Sequence, residues 1–170
     1  MSEPVQRLHA GTLSGVGRFT VRHGERGAAR LMARLMHLPE AGVDIPVRLS
    51  VNADAYGERW HRTFGAGGTP FVTEQRAGES GLMIERIGWT EIRYRLEIAG
   101  GALFYRQMGT VLCMGALRLP LPRWLAPRIA ARESAIDEKL THISVEVTLP
   151  LVGRLISYKG FIEPKDKKQG

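Results

Sequence analysis

The stretch TEIRYRLEIAGG, Thr90 to Gly101, decides how this chain folds. Apolar and polar side chains alternate along it. Ile92, Tyr94, Leu96 and Ile98 point one way, and Arg93, Arg95 and Glu97 the other. Successive side chains leave opposite faces only in an extended strand, so the stretch reads as a half-buried β-strand. Gly100-Gly101 supplies the two positions without a Cβ that a tight hairpin needs, and a further alternating run begins near residue 103.

The same period recurs along the chain. Ile143, Val145, Val147 and Leu149 oppose His142, Ser144, Glu146 and Thr148, and Val47, Leu49 and Val51 oppose Arg48, Ser50 and Asn52. Turn chemistry separates the runs at Gly57, at AGES before Gly81, at Asp137-Glu138 and at PLVG ending at Gly153. The pattern predicts about ten antiparallel strands, near residues 16–22, 45–54, 58–64, 71–76, 81–87, 90–98, 103–112, 130–136, 140–149 and 154–162. Short connections imply a meander, and a sheet of that size with one wet face curls or closes. The expected fold is therefore mainly β, a calycin-like barrel or a strongly curved antiparallel sheet. A helix-grip fold is the alternative, but the chain ends in the strand-like GRLISYKGFIEP where that fold has a long helix.

Two segments depart from the period of two. GAARLMARLMHLP has the helical period, which predicts one amphipathic helix near residues 27–38 with Ala28, Leu31, Met32, Leu35 and Met36 on its apolar stripe. That stripe is expected to cover an open end or face of the sheet; a lid or a basic membrane-surface helix is the functional alternative. RLPLPRWLAPRIA carries three prolines and reads as a structured crossing loop, with Trp124 and Leu125 placed to anchor it or to cover a cavity mouth.

Composition bounds the rest. The 170 residues, 44% apolar and 24% charged, suit one globular domain over 1–170, with 1–12 and 165–170 expected as frayed tails. No apolar run approaches the roughly 18 residues of a membrane helix, and the N-terminus lacks a secretory pattern, so the expected location is cytoplasmic. Cys113, alone in TVLCMG, reads as a small buried hydrophobe. A net charge of +7 favours acidic partners, including peripheral membrane contact. The basic residues are spread along the chain, which argues against a dedicated nucleic-acid face.

The candidate site lies in ERWHRTFGAGGTPF, Glu58 to Phe71. Alternation puts Trp60, Arg62 and Phe64 on one face, and two large aromatics mark it as the buried one. Arg62 then enters the interior, where a guanidinium needs an anion. Glu85, Glu133 and Glu74 are the available protein partners, with Tyr105, Gln107 and Arg106 as further polar groups nearby. A structural Arg–Glu pair and a ligand anchor are the two readings. The glycines are followed by Pro70 and another alternating run rather than a helix, so they make a corner between strands and no phosphate cradle. GTLSGVGR fails the dinucleotide test for the same reason. The five histidines show no metal-ligand spacing, and Ser80 in GESG lacks the context of a nucleophile elbow. No catalytic residue, metal or cofactor is expected; were the chain a small enzyme, Glu133 or His61 would be the titratable group to inspect.

The ordered set GRFTVRHGERGAARLMARLMHLP, IPVRLSV, GERWHRTFG, LRLPLPRWLAP and VEVTLPLVGRLISYKGFIEP, spanning about Gly15 to Pro164, resembles a bacterial family catalogued as domain of unknown function 4166. Similar domains also occur C-terminal to saccharopine-dehydrogenase-like domains. The resemblance implies an accessory or ligand-binding module working beside a redox enzyme, and no catalytic residue. The first expectation is binding of an apolar or amphipathic, lipid-like small molecule inside the curved sheet: Arg62 meets its polar end, Trp60, Phe64 and Tyr94 line the pocket, and Tyr105 donates a hydrogen bond. The alternative is an interaction module docking on a partner oxidoreductase, with an exposed apolar patch and no internal cavity.

Overall fold

The computed structural model describes residues 2–9, 11–68 and 70–166. Eleven strands follow a short helix: α1 (Glu3–Leu8), β1 (Leu13–His23), α2 (Gly27–Leu35), β2 (Gly42–Ala53), β3 (Glu58–Phe64), β4 (Phe71–Ala77), β5 (Met83–Ile87), β6 (Thr90–Ala99), β7 (Ala102–Met114), β8 (Leu117–Pro120), β9 (Arg128–Ala135), β10 (Thr141–Leu149) and β11 (Gly153–Asp166). All pairings are antiparallel. Each strand of β1 to β7 pairs with the next, β9 pairs with β7 and β10, and β11 returns to β1, so ten strands close a barrel. Closure gives each of the ten a neighbour on both sides.

The seam between β1 and β11 leaves no room for a side chain at two positions, and glycine occupies both. Gly160 lies opposite Phe19; a Cβ there would stand 2.0 Å from the Arg18 carbonyl oxygen. A Cβ on Gly17 would stand 1.8 Å from that of Phe161. Only residues without side chains allow this approach.

Connections alternate between the two ends of the barrel. At one end lie α1, the 54–57 and 78–82 turns, Gly100-Gly101 and the 136–140 bend. At the other lie the 24–41 segment with α2, the 65–70 corner, Gly88-Trp89, Gly115-Ala116, the 121–127 loop and the 150–152 turn.

The strand expectations hold to within a few residues, and five particulars differ. Residues 3–8, expected in a frayed tail, form α1: Val5 is buried among Ile92, Tyr94, Leu103 and Tyr105, and Leu8 among Leu13, Val51 and Trp60. Burying these two side chains stabilises the segment by about 1.5–3 kcal/mol each, enough to hold it. At the other terminus Lys165 and Asp166 belong to β11, and 167–170 lie outside the described residues. Leu117–Pro120, of which Arg118–Pro120 were read as part of a crossing loop, forms β8 against Val111–Met114 of β7; Pro120 ends it, consistent with proline at a strand margin.

The helix is present but rotated. Ala29 and Ala33 are fully buried, Met32 partly, while Ala28, Leu31, Leu35 and Met36 are exposed. α2 packs against β1 and β11 through Ala29 and Ala33, with Met32 against the same cluster; a Cβ on Gly24 would lie 2.8 Å from that of Ala29. Finally, Leu96 and Ile98 are exposed despite sharing the parity of Tyr94. β5 pairs with β6 only as far as Tyr94, so beyond it β6 has β7 on one side and no strand on the other.

Candidate functional site

The barrel is not filled. A cavity of about 310 Å3 runs through it, and its mouth lies at the α2 end, where Met32, Met36, Leu38 and Pro39 face Leu121, Leu125 and Pro127. The 121–127 loop is tied down by Gln107, whose Nε2 donates to the Pro127 carbonyl (2.7 Å) and whose Oε1 accepts from the Ile129 amide (2.9 Å). Apolar side chains from β6, β9, β10 and β11, among them Ile92, Ile129, Val145 and Ile156, make the walls. The period of two drives this arrangement, because every second residue of each strand must face inward.

Polar groups gather deeper in. Arg62, Thr73, Gln75, Glu85, Tyr94, Tyr105, Glu133 and Tyr158 all border the cavity. Arg62 donates to Thr73 Oγ1 (3.1 Å), and its guanidinium carbon stands 5.0 Å from the Trp60 ring centroid. Among the described residues it has no carboxylate partner, so most of its five N–H donors remain unspent. The Arg–Glu pair that the sequence allowed is thus absent. Glu74 bonds Arg59 outside the barrel (2.7 Å), Arg106 bonds Glu97 there (2.8 Å), and Glu85 accepts from Gln75 at 3.4 Å.

Glu133 is instead held by His9, the residue that caps α1. Its Oε2 lies 3.0 Å from His9 Nε2, and its Oε1 accepts from the Tyr105 hydroxyl at 2.8 Å. Burial pushes the Glu133 carboxyl up, but the hydrogen bond and charge of His9, the Tyr105 hydroxyl and the Arg62 charge outweigh it, and the group sits below the ordinary carboxylate value. Burial pushes His9 down, yet Glu133 more than compensates and leaves it raised. With His9 protonated, the pair is an imidazolium–carboxylate bridge beneath the cavity. Both Glu133 oxygens are occupied, which suits an anchor better than a general base. Burial, reinforced by Glu133, holds the Tyr105 phenol well above its ordinary value; burial does the same for Tyr94 and Tyr158. All three stay protonated as donors, and the hydroxyls of Tyr94 and Tyr158 bond no described residue.

Of the residues singled out in the sequence, Arg62, Tyr94, Tyr105, Glu85 and Glu133 meet at this cavity. Trp60 and Phe64 share the inner face but are packed into the core. Trp60 is buried beside Leu8 and Val51 with its Nε1 donating to Glu58 (3.0 Å), and Phe64 packs edge-on against Phe19 and Tyr158. They support Arg62 from behind and do not line the cavity. His61 points out of the barrel, Ser80 sits in an exposed turn, and Cys113 is buried as expected. Thr73, Gln75 and Tyr158 were missed, although their inward parity was readable. His9 carried no signal, since α1 has neither strand nor long-helix periodicity. The docking-module alternative expected no internal cavity and an exposed apolar patch; the cavity departs from the first expectation, while exposed Trp89, Trp124 and Leu151 accord with the second.

The chain matches the family described as Domain of unknown function (DUF4166) over residues 1–162, and it belongs to that family. No curated protein and no solved structure gives a match. No described helix is long and apolar enough to cross a membrane.

Proposed function

We propose that this member of the DUF4166 family binds an apolar or amphipathic small molecule in its barrel, with the apolar part along the walls and an acceptor oxygen, such as a carboxylate or carbonyl, at Arg62. One observation carries the reading: an open cavity with apolar walls holds a guanidinium that bonds no carboxylate among the described residues. Apolar walls with a few convergent polar groups are what such ligands require. The volume is near the lower limit of ligand pockets, about 300–1,000 Å3, and suits a single chain or a small ring system rather than a two-chain lipid. Tyr94 and Tyr158 offer further hydroxyls, while the His9–Glu133 bridge and Tyr105 keep the floor rigid.

Native mass spectrometry of the purified protein, followed by solvent extraction, tests the reading. A reproducible amphipathic adduct that is lost in Arg62→Ala, with the thermal midpoint otherwise retained, is the expected result. An Arg62→Ala protein that takes up fluorescent fatty-acid and retinoid-like probes as well as wild type would overturn it.

A further inference from the structure

The mouth of the cavity is ringed by apolar side chains that the fold leaves in solvent. Trp89 is 71% exposed on the β5–β6 turn, Trp124 73% on the 121–127 loop, Leu35 69% on α2 and Leu151 96% on the β10–β11 turn. Leu31, Met36 and Leu125 are exposed beside them. Four separate connections, far apart in sequence, supply these residues, and the antiparallel topology brings them all to the α2 end. Arg26 Nη1 bonds the Leu151 carbonyl at 2.9 Å, which fixes that turn beside α2. At the opposite end α1 inserts Val5 and Leu8 into the core, and the exposed apolar residues there, Tyr56, Ile98 and Ile136, lie away from the cavity lining. An isolated exposed apolar residue needs no explanation; a ring of them around a cavity mouth does.

The charge around this ring is basic. The described connections of the α2 end carry Arg26, Arg30, Arg34 and Arg123 against Glu25 and Glu40, and exposed Arg128 and Arg154 open the flanking strands. Arg30, Arg34 and Arg123 have no ion pair among the described residues. Tryptophan settles at the boundary between acyl chains and headgroups, and arginine is drawn to anionic headgroups, so the two together match one kind of surface. A basic helix with leucine and methionine outward lies in such an interface rather than across it.

We propose that the α2 end of the barrel docks on an anionic lipid bilayer, with Trp89, Trp124, Leu35 and Leu151 entering the interface and the cavity mouth facing the acyl chains. This deepens the ligand-binding reading and rests on it for its purpose: a ligand could then pass between bilayer and cavity without crossing water. The rotation of α2 acquires a consequence, since the large side chains kept out of the barrel become the docking surface.

Co-sedimentation with vesicles of phosphatidylcholine, with and without phosphatidylglycerol, tests it on the full chain. Binding is expected to the anionic vesicles and to be far weaker on the neutral ones. Arg30→Gln with Arg34→Gln should weaken it about thirtyfold, at roughly fivefold per arginine near an anionic surface. A Trp89→Ser, Trp124→Ser, Leu35→Ser triple variant should lose it while still taking up a soluble fluorescent fatty acid. Brominated acyl chains should quench Trp89 and Trp124 but leave the signal of buried Trp60 in a Trp89→Phe, Trp124→Phe variant that still sediments with the anionic vesicles.

Arg62→Ala separates the two ideas, because it should bind vesicles as wild type does and lose only the probe. No vesicle binding at either composition, or binding that the triple variant retains, overturns the proposal; so does a solution dimer that those three substitutions dissolve without any vesicle binding. Failure of probe uptake with vesicle binding intact refutes the cavity reading alone.

Discussion

His9→Ala removes the imidazolium from beneath the cavity and leaves Glu133 buried, with only Tyr105 donating to it. Breaking a buried ion pair from one side costs about 3–5 kcal/mol. The remaining Tyr105 hydrogen bond and the nearby Arg62 charge bring the expected loss down to about 2–4 kcal/mol. For a chain of this size each kcal/mol moves the melting midpoint by about 2–4 °C, so thermal denaturation followed by circular dichroism should show a fall of about 5–15 °C. His9→Gln keeps a donor for Glu133 and should recover a good part of that.

The pair also has a pH signature. His9 is raised above its ordinary 6.5, so its contribution is complete below pH 6.5 and is lost as pH climbs through the raised value. Glu133 is lowered below its ordinary 4.5, so its contribution is complete above pH 4.5 and is lost as pH falls through the lowered value. The bridge therefore stabilises most between about pH 4.5 and 6.5, and His9→Gln should flatten the alkaline side of the stability profile. A His9→Ala midpoint within about 2 °C of wild type at pH 6 would refute the placement of α1 under the barrel.

Other substitutions probe the scaffold. Gly160→Ala drives a methyl into the Arg18 carbonyl and should lower stability by about 2–4 kcal/mol or prevent folding, whereas Gly27→Ala, which meets nothing within 4 Å, should leave the melt unchanged or slightly higher. Ala33→Leu should cost about 1–3 kcal/mol by overpacking the contact of α2 with the barrel, while Leu35→Ser stays within about 0.5 kcal/mol in chemical denaturation; the reverse order would mean that α2 packs through its leucine face. Glu91 is buried and held below its ordinary carboxylate value by the Arg118 hydrogen bond, against burial, with Arg76 assisting. Its contribution is present above pH 4.5 and is lost on acidification, so Glu91→Gln should lower stability at pH 7 and narrow its gap from wild type in acid, as read from urea midpoints across pH.

The strands were legible because a half-buried strand writes its environment at every second residue. Val47, Leu49 and Val51, or Ile143 to Leu149, state their inward face without reference to any other segment. Arg62 was legible for the same reason: its parity put it inside beside Trp60, where a cation needs explanation. α1 was not legible, since six residues make too short a helix to show a period and Val5 and Leu8 gain their burial only from strands distant in sequence. The orientation of α2 was misread because its stripe of large side chains ordinarily marks the buried face, and only the closeness of β1 and β11 selects alanine there.

By itself, then, the sequence determined ten of the eleven strands, their antiparallel order, the place of α2 and the identity of the inward arginine, all of which follow from periods of two or 3.6 residues within single segments. Tertiary structure alone decided that the sheet closes between β1 and β11, that the closed barrel keeps an open cavity, that His9 rather than Arg62 takes Glu133, and that the outward leucines and tryptophans meet at one mouth. These outcomes depend on which strands become neighbours and how much space their side chains leave, and such quantities exist only once the whole ring has formed.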